Sequence, residues 1–181
     1  MSNNFNLDFD KIKYIKNIYK FTKSEEKYLN DNYFTIQKYI RDGEIQPAYV
    51  FNIDPLVISA YNDTIDNVIL LEFPNDFVDK YNLKLGDRLL TSNVYWPKQK
   101  TKYGDILPGV SNNMMFSDVY PFVLKFLVKD DDIIGEDFVK ENKVSEFIWN
   151  YIENLTYAYY KFSKGTHRDG FFYMFKGDKR G

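Results

Sequence analysis

The sequence predicts an α+β fold: an N-terminal helical hairpin, a central antiparallel sheet and a long C-terminal amphipathic helix. Three observations carry that prediction. Apolar residues recur at helical spacing up to residue 41, strand-length runs of β-branched and aromatic residues fill 48–95, and a helical period returns over 143–162. Residues 1–181 are read as a single domain, with no internal repeat, low-complexity tract or long linker.

In the first part, Ile12, Ile15, Ile18 and Tyr19 share one face of a helix over residues 9–21, with lysines between them. Thr22 and Glu25 fit a capping box, in which each side chain satisfies the other's free backbone donor, and Ser24 is an alternative cap. The second helix carries Leu29, Tyr33, Ile36 and Ile40 on one stripe and stops at Gly43.

From Pro47 the period changes. Residues 48–53, 56–61, 68–73 and 88–95 read as strands, joined by turns at Asp54-Pro55 and over 62–67. Connections this short hold no crossover helix, so neighbouring strands are expected to be antiparallel. Residues 75–81 read as a short helical excursion, and 120–129 as a helix opening near Pro121. Residues 96–117 read as an irregular loop, and 171–175 as a last strand or a cover for the core.

Composition removes several function classes. Cysteine is absent, which excludes disulfides, thiolate nucleophiles and cysteine zinc sites. His167 is the one histidine, so histidine-based triads and zinc sites fail as well. The formal net charge of −2 gives no drive toward nucleic acid or anionic lipid. The first ten residues are polar, and no apolar run approaches membrane-spanning length, so a cytoplasmic protein is expected. Aromatic residues make up 19% of the chain. Lysine outnumbers arginine 20 to 4, a bias that AT-rich codons produce along with Tyr and Phe, so this content alone does not establish a stacking surface.

Four local patterns are candidates for chemistry. Asp130, Asp132, Gly135 and Glu141 fall at positions 1, 3, 6 and 12 of a calcium loop, but Ile134 at position 5 offers no oxygen, so no metal is assigned. His167, Arg168 and Asp169 spell a kinase tripeptide without the asparagine that pattern needs five residues on, where Met174 stands. Trp96, Lys98, Lys100, Lys102 and Tyr103 interleave bases and rings on the 96–117 loop, a candidate functional loop able to track a phosphate backbone. The absence of a positive net charge argues against nucleic acid as partner.

The fourth pattern lies on the last helix. Val144, Ile148, Tyr151, Ile152, Leu155, Tyr159 and Phe162 form the expected core stripe. Trp149, Glu153, Tyr157 and Tyr160 cluster on a different flank, a candidate partner-binding surface, because Trp and Tyr are favoured at interfaces. The competing reading is that other parts of the chain cover that flank.

The stretch Pro55, Leu56, Val57, Ile58, Ser59, Ala60, Tyr61, with Leu70 to Pro74 and Gly86 to Thr91, resembles segments of small uncharacterised bacterial proteins. Phe73, Pro74, Asn75, Asp76 and Phe77, through to Tyr81 and Asn82, are similar to the Leu-Pro-x-Asp-Phe helix start of SUKH-superfamily immunity proteins. That resemblance implies toxin immunity and transfers no residue roles. The expected function is therefore a non-enzymatic protein-binding factor of the immunity or accessory kind, without cofactor, its partner being another protein or a twin subunit. The alternative is a hydrolase using Asp and Glu residues, with or without a divalent metal.

Overall fold

The computed structural model describes residues 3–97, 116–163, 167–171 and 174. The chain opens with α1 (Phe9–Tyr19) and α2 (Lys23–Asp42). Asp8 caps α1 by accepting from the backbone of Asp10 and Lys11, and Lys20 ends it in the left-handed conformation. Both halves of the Thr22–Glu25 capping box form, and the backbone N–H of Gly43 closes α2 on Tyr39 O. Lys11 is buried, and its ammonium donates to Lys125 O, Val128 O and Asp130 Oδ1 at 3.0, 2.7 and 2.7 Å, which makes burial of the charge tolerable.

The strands are β1 (Glu44–Ile53), β2 (Leu56–Asn62), β3 (Asn67–Phe73), β4 (Arg88–Pro97), β5 (Phe116–Val123) and β6 (Arg168–Asp169), in the order β5-β4-β1-β2-β3-β6. The first five pair antiparallel, as the short turns require, whereas β6 joins β3 in parallel, so the sheet is mixed. A short α3 (Asp76–Lys80) lies between β3 and β4.

Two expectations are corrected and one is decided between its alternatives. Residues 120–123, expected to open a helix, belong to β5, and only one 3-10 turn, Leu124–Phe126, follows. Pro121 is tolerated because β5 is an edge strand, where the missing N–H costs no ladder bond. The expected irregular loop is shorter than 96–117, since Trp96 and Pro97 end β4 and Phe116 starts β5. Among the described residues the last strand is Arg168–Asp169, and of the two readings of 171–175 the cover for the core holds at Phe171 and Met174, which are buried.

Both faces of the sheet are covered, which is why every residue of β2 is buried. One face, with Ala48, Val50, Ile58, Ala60, Ile69 and Leu71, packs with Ile12, Ile15, Leu29, Ile36 and Ile40 of the helical hairpin. The other, with Tyr49, Val57, Val68 and Leu70, receives α6 (Glu146–Ser163) through Trp149, Ile152 and Tyr159. Two shorter helices, α4 (Asp131–Ile134) and α5 (Glu136–Glu141), lead into α6.

The sheet curls until its two edges meet. Arg168 of β6 reaches Asp118 of β5 at 3.0 Å and donates to Val119 O, and Tyr120 donates from its hydroxyl to Gly170 O at 2.5 Å. Gly170 fits this seam because a Cβ there would lie 2.2 Å from the Phe73 ring. Among the described residues, no helix is long and apolar enough to cross a membrane.

Candidate interaction site on the last long helix

A helix rotates on a sheet until the side chains it buries are satisfied, and α6 settles away from its most apolar stripe. Ile152, Thr156 and Tyr159 are fully buried, Trp149 is 7% exposed, and Ile148 and Leu155 are half-buried. Tyr151 and Phe162, assigned to the core stripe by periodicity, are 36% and 71% exposed. At ~100° per residue the buried stripe is displaced by roughly 50° from the expected one.

Two interactions account for the rotation. Thr156 donates to Ile152 O at 2.7 Å, and its oxygen lies 2.7 Å from Ser59 Oγ of β2, so a buried hydroxyl pair sits where an aliphatic contact was expected. Trp149 lies beneath the Arg88 guanidinium, 4.9 Å from its ring centre, and Arg88 donates to both Glu146 oxygens at 2.5 Å. That hydrogen bond raises the Arg88 pKa and lowers that of Glu146.

The candidate flank is thereby divided. Trp149 packs inside the fold, which corrects its assignment to an outward surface: the rotation places its ring against the sheet face. Glu153 is exposed, and Tyr157 and Tyr160 remain 64% and 43% exposed. Sequence reasoning missed that Phe51 joins them. Its ring centre lies 5.5 Å from that of Tyr157 and 5.2 Å from that of Tyr160. Register shifts between Val50 and Asn52 in the β1–β2 pairing, so Phe51 sits at a bulge, a feature that no residue pattern announces. His167 extends the cluster, with its ring 6.3 Å from Tyr160.

The other candidates fare differently. Trp96 lies in β4 with its ring 5.6 Å from Tyr39, while Lys98, Lys100, Lys102 and Tyr103 fall outside the described residues. Asp130 is paired to Lys11, and Asp132 accepts from the backbone of Asn6 at 2.8 Å. The calcium-loop segment is folded as α4 and α5, so these oxygens do not converge as that pattern requires. His167, whose side chain is 13% exposed, sits 3.0 Å from Glu72, beside the seam formed by Arg168.

No family model, curated protein or solved structure matches the chain.

Asp118 is fully buried and paired to Arg168, and among the described residues no group of three or more His, Asp or Glu side chains is placed to hold a metal ion. A cleft of ≈ 590 Å³ beside Trp149 is lined mainly by apolar groups, including Leu90, Leu124, Ile133 and Val139, and also by Arg88, Lys125, Asp130, Asn142 and Lys143. Burial raises the Tyr49 phenol to about 12, and burial together with Asp66 also raises that of Tyr61, so both face α6 as neutral hydroxyls.

Proposed function

We propose that this chain is a non-enzymatic binding factor, of the toxin-immunity or accessory kind, that recognises another protein through Phe51, Glu153, Tyr157 and Tyr160. The observation that carries the reading is the exposure of Tyr157 on a helix whose other face already packs on the sheet. Tyrosine rings supply large contact area at low entropic cost, and hot spots are enriched in them. Contact with Phe51 holds the Tyr157 ring in place before any partner arrives, which lowers the cost of ordering it on binding. Glu153 offers a carboxylate at the rim, suited to a basic side chain of the partner. Trp149 then serves as the anchor that seats the helix. The similarity of Phe73 to Asn82 with the SUKH helix start points to an immunity role for such a factor.

The test is photo-crosslinking in the source cells from a photoreactive residue at Tyr157, with Lys27 on α2 as the control position. The reading expects one discrete protein adduct from position 157 and none from position 27. It expects a purified adduct partner to lose affinity at least tenfold for Tyr157→Ala. Equal adducts from both positions, or none from 157, would overturn it.

A further inference from the structure

The second flank of α6 has its own pattern. Phe147, Tyr151, Ala158 and Phe162 line one side of the helix, with Asn154 near its middle, on the opposite side of the buried stripe from Tyr157. Phe147 and Phe162 are 76% and 71% exposed, Ala158 and Asn154 are exposed, and the Tyr151 ring is partly so. A helix that buries Thr156 while leaving two phenylalanines outside has more apolar surface than its own sheet covers.

The stripe is self-complementary under reversal. Turning a second α6 end for end about the point midway between Asn154 and Leu155 sets Phe147 opposite Phe162, and Tyr151 opposite Ala158. Ring meets ring at both ends, and a large side chain meets a small one on either side of the centre, as interdigitating helices require. Asn154 lies half a residue from that axis, where it can meet its own copy diagonally, and a single polar residue in an apolar seam fixes register. Tyr151 is held in place, its hydroxyl donating to Asp66 at 2.8 Å, so the surface exists before association. The exposed parts of the three rings amount to roughly 350 Å² per copy at about 150–250 Å² per ring. Two copies, with the small and polar neighbours, approach the ~1,000 Å² at the lower bound for a specific interface.

We infer that a second copy of this chain docks on the first through an antiparallel α6–α6 pair, built from Phe147, Tyr151, Asn154, Ala158 and Phe162 around a two-fold axis near Asn154. The surface is separate from the Phe51, Tyr157 and Tyr160 cluster, so the two readings stand or fall independently. The area places the pair among weak, reversible dimers.

The chain contains no cysteine, so introduced cysteines report without background. Under oxidation, Asn154→Cys is expected to give a disulfide-linked dimer. Phe147→Cys should couple to Phe162→Cys when the two proteins are mixed, but not to itself. Sedimentation of the unmodified chain should show mass doubling as concentration rises through the micromolar range, abolished by Phe147→Glu and unchanged in Tyr157→Ala. Constant monomer mass, self-coupling of Phe147→Cys or efficient coupling of Tyr157→Cys would overturn the pairing. Loss of Tyr157 crosslinking with dimerisation intact would overturn the proposed function alone.

Discussion

Arg168 and Asp118 lie on strands at opposite ends of the strand order, yet their side chains meet at 3.0 Å. Among the described residues, side chains of Arg168 and Tyr120 join the two edges of the curled sheet. Asp118 is fully buried and Arg168 is 10% exposed, so water does little to compensate these charges, and their mutual contact and neighbouring polar groups contribute to that compensation.

Removing one member takes the 3.0 Å counter-charge away from a buried group. Arg168→Ala is expected to cost about 3–5 kcal/mol, and the double change Arg168→Met with Asp118→Leu markedly less, because both charges of the pair are then removed together. Denaturant melts of the three proteins check this. Equal destabilisation by the single and double changes would show that shape, rather than charge, holds the seam.

The rotation of α6 gives a second expectation. Trp149→Ala should destabilise by about 3–5 kcal/mol through the cavity it opens, whereas Phe162→Ala should stay within about 0.5 kcal/mol of the parent monomer. Chemical denaturation at low protein concentration separates the two. Similar costs for both would place Phe162 in the core and contradict the observed orientation of the helix.

Much of this fold was legible in the sequence. The Thr22–Glu25 box, the stop at Gly43 and the strands of residues 48–95 follow from local chemistry, and the structure bears them out. The β5 strand was missed because Pro121 after Tyr120 reads equally as a helix start, and only edge placement decides between them. The seam was invisible for a similar reason. Asp118 and Arg168 are fifty residues apart, and their pairing depends on how far the sheet curls. On α6, periodicity located the helix and misplaced its face, since Thr156 counts as polar until Ser59 lies opposite it. Of the candidate surface, Glu153, Tyr157 and Tyr160 were therefore readable, while Phe51 entered through a bulge.

Tyrosine ionisation yields a pH expectation. The Tyr49 phenol is raised by burial from 10.0 to about 12, and Tyr19, Tyr61, Tyr81 and Tyr95 shift upward for the same leading reason. A raised folded-state value means that the unfolded chain releases these protons first. Stability is then complete below pH 10 and falls as pH climbs from there toward 12 and beyond. Ultraviolet titration of the native protein should show several tyrosines ionising only as it unfolds. Ionisation of all of them near the ordinary value, with the fold intact, would contradict this assignment.

The central claim is that Tyr157 serves association rather than folding. The most direct measurement compares Tyr157→Ala with the parent by denaturation and by titration against the protein captured at position 157. The expected result is stability within about 0.5 kcal/mol of the parent and binding weakened by about 2 kcal/mol, the scale of an aromatic hot spot. A loss of several kcal/mol in stability with binding unchanged would contradict it.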